Sequence, residues 1–262
     1  MKKSAAIITG SSRGIGFALA QRFASKGMGV VINGTSEENV CHAVEEIRRH
    51  GGSAQGVVGS VQDIDTGKKL MNTAIDHYEN ASILINNAGT TRDRMAHRLS
   101  IDDWNEVIHT HLTGTFSAAQ PFILHQKSIG GKGCIINMTS TAGLEGNIGQ
   151  LNYSAAKAGI LGMTWTLAKE LEKWHVPVFA VAPAALTDMT RPFVERARNQ
   201  AIEKGEPLDP YWEIGTPEQV AEFVFKIWEN RLNLPSGTIY SVNGNKIGKW
   251  SPPAFQEIES LD

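Results

Sequence analysis

Cysteine is scarce: Cys41 and Cys134 are the only two in 262 residues. They lack the spacing of a metal site and the density of a secreted disulfide framework. Both fall in segments that read as ordinary secondary structure, a helix and a buried strand, so they are expected to be structural thiols. Charge of one sign is missing too. Lys and Arg number 25 against 27 Asp and Glu, a formal net charge of −2, and the cations are spread along the chain. That distribution excludes a basic stripe for nucleic acid and a polybasic membrane anchor. The apolar run Ala5-Ala6-Ile7-Ile8 after Met1-Lys2-Lys3 stops at Thr9-Gly10, too short for a signal peptide, so a cytoplasmic location is expected. Internal repeats, low-complexity tracts and interdomain linkers are likewise absent. With 41% hydrophobic residues, the expectation for 1–262 is one large α/β core with a small-molecule partner.

What is present is a rhythm. Short apolar runs suited to buried parallel strands occur at 5–9, 29–33, 54–58, 83–86, 134–138, 176–182 and 238–242. Between them, apolar residues recur at three- and four-residue spacing over 13–26, 37–50, 64–79, 101–125, 153–174 and 217–230. This alternation predicts a doubly wound, Rossmann-type domain: a seven-stranded, mostly parallel sheet with helices on both faces. One segment, 187–214, breaks the rhythm with prolines and charges. It leaves from the carboxyl end of a strand, where open parallel sheets bind ligands, and is expected to be a substrate lid.

After the first strand comes Thr9-Gly10-Ser11-Ser12-Arg13-Gly14-Ile15-Gly16, followed by an amphipathic run. Strand, glycine turn and helix in that order suit a pyrophosphate, which the free N–H groups and positive end of the helix attract. The spacing G-x-x-x-G-x-G differs from the commoner G-x-G-x-x-G. Where an NAD site carries an acid at the end of the second strand, this chain has Asn33-Gly34-Thr35-Ser36. With no carboxylate there, Arg13 is expected to pair with a 2′-phosphate, aided by the hydroxyls of Thr35 and Ser36, so NADP(H) is the expected coenzyme. Asn86-Asn87-Ala88-Gly89, after the fourth strand, lets the chain pass close to the ribose and nicotinamide.

Asn137-Met138-Thr139-Ser140 ends the fifth strand, and Tyr153-Ser154-Ala155-Ala156-Lys157 opens a helix. Tyr153 and Lys157, four apart, share a helical face. A neighbouring ammonium is expected to pull the tyrosine below its usual value of about 10. Ser140 is the candidate to hydrogen-bond the substrate oxygen and Tyr153 the candidate proton donor.

In these residues the chain resembles the short-chain dehydrogenase/reductase family from Thr9 to about Asn245. The resemblance is closest to its 3-oxoacyl-carrier-protein reductase branch, through Ser11-Ser12-Arg13, Gly149-Gln150-Leu151-Asn152-Tyr153, Asp188-Met189-Thr190 and Ser241-Val242-Asn243-Gly244. The resemblance implies a catalytic Ser140, Tyr153 and Lys157, with Lys157 also holding the nicotinamide ribose. It extends the cofactor contacts to Ser60, Val61, Pro183, Ala184, Leu186, Thr187 and Met189. Three positions depart from the family. His111, in His111-Leu112-Thr113-Gly114, stands where a catalytic asparagine is usual; Pro183-Ala184 replaces Pro-Gly; and Ser60-Val61 stands where an Asp commonly contacts adenine. An imidazole hydrogen-bonds as an amide does but is bulkier and titrates near neutrality.

The resemblance thus implies an NADPH-dependent reductase of a 3-oxoacyl thioester, small or carrier-bound. Two other readings stay open: a dehydrogenase of another secondary alcohol, such as a sugar or steroid, and a cofactor-binding scaffold or regulator in which His111 and Ala184 have ended turnover. Met189, Pro192, Phe193 and Val194 are candidates for an apolar acyl channel. Arg191, Arg196 and Arg198 are candidates for attracting an acidic carrier or, more simply, form a solvated helix face. The family commonly forms tetramers through the helices read here at 101–125 and 153–174 and through the last strand. A homotetramer is therefore expected, with Trp250, Pro252, Pro253 and Phe255 of the tail 249–262 crossing a subunit boundary.

Overall fold

The computed structural model describes residues 4–256. The tail beyond Gln256 and the first three residues lie outside the described residues. In chain order the elements are β1 (Ala5–Ile8), α1 (Gly14–Ser25), β2 (Gly29–Gly34), α2 (Glu37–Arg49), β3 (Ser53–Val58), α3 (Ile64–Tyr78), β4 (Ala81–Asn86), α4 (Ile101–Ile108), α5 (Gly114–Ser128), β5 (Cys134–Met138), α6 (Ala142–Glu145), α7 (Leu151–Glu170), β6 (Val178–Ala184), α8 (Arg191–Lys204), α9 (Pro217–Asn230), β7 (Ile239–Asn243) and β8 (Lys246–Trp250).

The sheet order is β3-β2-β1-β4-β5-β6-β7-β8. Seven strands run parallel, and β8 turns back antiparallel on β7. Strands buried on both faces need apolar side chains at every position, and Ile7, Ile8, Val30, Val31, Ile32, Ile83, Leu84, Ile85, Ile135 and Ile136 are all essentially inaccessible. Alternate residues feed two cores. Ala6, Ile8, Val30, Ile32, Ile83 and Ile85 meet α1, α2 and α9, while Ala5, Ile7, Val31 and Leu84 meet α3, α5 and the end of α7. At roughly 1.5–3 kcal/mol for each large side chain withdrawn from water, this double layer supplies most of the driving force for folding.

The seven expected strands all form, and an eighth is added, which corrects the strand count. Asn243-Gly244-Asn245, with Gly244 at φ +58°, makes the tight turn, and Trp250 donates to Ser241 Oγ at 2.6 Å from across the ladder. Trp250 belongs to this hairpin and packs with Leu161, Ala180 and Ile239. Phe255, by contrast, is 91% exposed. The single helix expected over 101–125 is also corrected. A five-residue π-helical turn, His109–Thr113, separates α4 from α5, and Pro121 lies inside α5. Cys134 is buried in β5, its thiol pushed up by desolvation, whereas Cys41 is exposed on α2. No helix among the described residues is long and apolar enough to cross a membrane.

Between β1 and β4 the chain order reverses, so the loops after these strands diverge and leave a crevice. The loop after β6 and the insertion that follows it border the same crevice. The insertion folds as α8, started by Pro192 in its first turn and stopped by Gly205 at φ +68°, then a short 3₁₀ turn at Pro210–Trp212. Val194 is buried, while Phe193, Arg191, Arg196 and Arg198 are exposed, so α8 holds the body by one narrow face.

Candidate active site

The crevice is a cavity of about 620 Å³. Its wall brings together most of the residues singled out in the sequence: Gly10, Ser12, Arg13, Gly14, Ile15, Gly16, Asn33, Gly34, Thr35, Ser60, Val61, Asn87, Ala88, Gly89, His111, Tyr153, Lys157, Pro183, Thr187 and Met189. Ser36, Ser140, Ala184 and Leu186 are not on that wall; the Ser140 hydroxyl accepts from the N–H of Ala142 at 3.2 Å. The hydroxyl of Ser36 caps α2 by accepting from the N–H of Asn39 at 3.3 Å, Ala184 pairs with Asn243 in the sheet, and Leu186 is held by its N–H on Gly215 O. Of the residues expected to line an acyl channel, Met189 is on the cavity wall and Pro192, Phe193 and Val194 are not.

The glycine turn is fixed by polar stitching. Asn33 Oδ1 accepts from the N–H of Gly10 at 3.1 Å, and its Nδ2 donates to Val57 O and Gly59 O at 3.2 and 3.0 Å. Asn33 is therefore an organiser of β1, β2 and β3, with its amide fully engaged by the protein. Asn87 does the same on the other side: its Nδ2 donates to Thr9 O and Gly10 O, both at 3.0 Å. Glycine is required where these loops touch. A Cβ on Gly10, whose φ is +60°, would stand 2.7 Å from Ala88 Cα, and one on Gly16 would stand 2.4 Å from Gly10 O. The α1 helix starts without a side-chain cap and without an acid in its first turn, so its N–H groups and positive end face the cavity. Arg13 is at the rim, largely exposed, with Asp188 3.8 Å away across the mouth.

At the other end, α7 presents Tyr153 and Lys157. Its first turn is held by Asn152, fully buried, whose Nδ2 donates to Arg92 O and Asp103 O at 3.1 Å while its Oδ1 accepts from the N–H of Tyr153 at 2.8 Å. Lys157 is 4% exposed, and its Nζ donates to Met138 O at 2.7 Å. Nζ lies 5.6 Å from the centre of the Tyr153 ring. Burial pulls Lys157 down to about 7. Burial pushes Tyr153 up to about 12, against a hydrogen bond with Ser140 that lowers it; the Asp93 carboxylate adds a smaller upward push. The downward shift expected from the sequence is thus reversed: desolvation of the phenolate outweighs the Ser140 hydrogen bond.

His111 sits in the π-helical turn, 1% exposed, edge-on to Tyr153 with ring centres 5.3 Å apart. Its Nε2 is 2.8 Å from Thr90 O and 3.2 Å from Thr90 N. Burial first and the Lys157 charge second pull it down to about 3, against the Thr90 contact, so the imidazole is neutral at pH 7. The question of a charged His111 is answered by this environment. Room for the ring comes from Gly89, where a Cβ would stand 2.5 Å from His111 Cε1.

The sequence reasoning did not single out Gln62, Glu106 and Thr110, which line the cavity beyond Val61. They sit on a turn and a helix with no motif to mark them. Among the described residues no cluster of three or more His, Cys, Asp or Glu side chains could hold a metal ion.

A doubly wound sheet with its crevice at the switch point, a glycine-rich helix start on one side and a half-buried Tyr153 beside a buried Lys157 on the other, belongs to the nicotinamide-dependent oxidoreductases as a class. The chain matches the short chain dehydrogenase family over residues 4–198 and is a member of it, an oxidoreductase acting on CH–OH and C=O groups. It is 41% identical, over 248 residues covering 92% of this chain and 96% of the relative, to a 3-oxoacyl-[acyl-carrier-protein] reductase of Synechocystis sp.. It is 39% identical to the enzyme so named in Aquifex aeolicus, covering 91% and 95% of the two chains. A crystal structure of a short chain dehydrogenase from Mycobacterium avium superimposes with a TM-score of 0.81 at 30% identity, covering 99% of this chain and 90% of that one.

Proposed function

We propose that the protein is a cytoplasmic, NADPH-dependent reductase that converts a 3-oxoacyl thioester, linked to a carrier protein or coenzyme A, to its hydroxyacyl product. The observation that carries this reading is the half-buried Tyr153, in hydrogen-bonding reach of Ser140 and on one helical face with Lys157, on the wall of a cavity that begins at an uncapped glycine-rich helix start. The similarity to 3-oxoacyl-[acyl-carrier-protein] reductases over most of the chain supports the substrate class.

The cavity fits a phosphorylated dinucleotide. Gly14 and Gly16 admit the pyrophosphate close to the backbone, Arg13 at the rim meets a 2′-phosphate, and the end of β2 offers Thr35 in place of an acid. Lys157 holds the nicotinamide ribose. NADPH, when bound, supplies the hydride. Ser140 hydrogen-bonds the substrate oxygen as negative charge develops there, and Tyr153 donates its phenolic proton to that oxygen. A phenol held at about 12 keeps its proton at neutral pH, as reduction requires, and the Lys157 ammonium stabilises the phenolate left behind. A homotetramer is part of the proposal: Phe116 and Leu124 on α5 and Leu151 on α7 are exposed apolar side chains on the helices expected to pair.

The test of the coenzyme is kcat/KM with NADPH and NADH for the wild type and Arg13→Ala. The expected result is a preference for NADPH of about tenfold or more, the size of one charge-assisted contact, collapsing in the variant. Equal values in the wild type contradict it. Screening 3-oxoacyl thioesters against sugar and steroid alcohols in both directions tests the substrate class.

A further inference from the structure

Gln62, Glu106 and Thr110 form a polar corner of the cavity. The side-chain amide of Gln62 donates through Nε2 to Thr110 Oγ1 at 2.9 Å and to Glu106 Oε2 at 3.3 Å. Glu106 and Thr110 are one helical turn apart, the first at the end of α4 and the second in the π-helical turn, so both reach Gln62 from one face. Ser60, at the position where an acid would contact adenine, turns its hydroxyl to the N–H of Gln62 at 3.3 Å. It thereby shapes the turn that presents Gln62.

A carboxylate only accepts hydrogen bonds, whereas an amide has a donor end and an acceptor end. With Nε2 held by Glu106, Gln62 Oε1 is left as an acceptor. Turning the amide over would set Oε1 against the carboxylate, two acceptors in contact. Thr110 cannot lock the amide in this way, because a hydroxyl both donates and accepts. In a doubly wound fold the 2′ position of the adenosine ribose lies at the end of β2, so the base lies on the β2–β3 side of the glycine turn. Val61 and Gln62 lie in the turn that follows β3, after Gly59 and Ser60, on that side.

We infer that Gln62 reads the exocyclic amino group of the adenine ring through Oε1, and that Glu106 is the positioning residue that locks the amide in the reading orientation. The inference rests on the dinucleotide reading proposed above. It assigns the adenine discrimination of this chain to a side chain two residues beyond Ser60, with the acid supplied from α4. Hypoxanthine carries an oxygen where adenine carries its amino group, so a locked Gln62 opposes acceptor to acceptor and rejects it.

The experiment is direct binding, followed by the fluorescence of the reduced nicotinamide, of NADPH and of its deamino analogue with hypoxanthine in place of adenine. The wild type is expected to bind the analogue about tenfold more weakly, the scale of one hydrogen bond replaced by an opposed pair. In Glu106→Gln the partner at 106 both donates and accepts, Gln62 turns freely, and the two ligands bind within about twofold of each other. Gln62→Leu, close in volume, loses the discrimination as well, and matched thermal melts confirm that both variants fold. Equal binding of both ligands by the wild type overturns the inference and leaves the reductase reading intact. Discrimination retained in Glu106→Gln overturns the locking role. Failure of the wild type to bind either ligand removes the dinucleotide reading and this inference with it.

Discussion

His111 shows how one buried ring reports on the whole site. Its neutrality is imposed by desolvation and by Lys157, and it has a measurable cost in acid. A histidine in the unfolded chain protonates below about 6.5, whereas the folded one resists to about 3. Between those values the unfolded state binds the extra proton, so stability is fully present above 6.5 and is lost as pH falls. From pH 7 to pH 5 this one group is expected to remove about 2 kcal/mol. Urea denaturation at the two pH values should show that loss in the wild type and a smaller one in His111→Asn; equal losses would contradict a His111 held neutral by its burial. Lys157 acts in the opposite range. With its ammonium held down to about 7, reductive kcat/KM is expected to be highest at and below that pH and to decline above it, as the charge that stabilises the phenolate is lost. A profile flat from pH 6 to 9 would speak against this role.

At the level of elements, close approach of helices sets what the sequence tolerates. On α3, a Cβ added to Gly67 would stand 1.9 Å from Ser117 O of α5, backbone that has no room to yield. Gly67→Ala is expected to lose about 1–3 kcal/mol of stability in denaturant titration, although alanine favours helix more than glycine does. A neutral or stabilising result would mean that α3 and α5 slide apart easily. The parallel strands were legible because burial on both faces makes each an unbroken apolar run, and all seven appear within about two residues of their expected limits. The eighth was not legible. In Lys246–Trp250 only Ile247 and Trp250 are large and apolar, and Gly248 interrupts them, so a two-stranded return held by Trp250 on Ser241 leaves no periodic mark. The π-helical turn was hidden for a related reason: one extra residue per turn shifts the phase of the apolar pattern without erasing it. The glycine turn and the Tyr153–Lys157 pair could be read because their spacing is local. Gln62 with Glu106 could not, since they meet only through the tertiary fold, and the direction of the Tyr153 shift depends on a burial that no spacing encodes.

For the whole molecule, a ligand that binds only the folded chain stabilises it by mass action, about 2.7 kcal/mol at a hundred times its dissociation constant. For a chain of this size that raises the melting temperature by roughly 5–10 °C. NADPH is expected to give that shift and NADH at equal concentration a smaller one, with the difference gone in Arg13→Ala. Equal shifts would argue that the rim arginine contacts no phosphate. The assembly is tested by light scattering: a tetramer at micromolar concentration is the expected state, and a monomer contradicts the proposed pairing of the α5 and α7 faces.

The most direct test of the proposed function follows NADPH absorbance with a short 3-oxoacyl thioester, comparing the wild type with Tyr153→Phe. The account predicts turnover in the wild type and its loss in the variant, while NADPH binding persists in both. Turnover that survives Tyr153→Phe, or a wild type that binds NADPH yet reduces no 3-oxoacyl thioester, would contradict it.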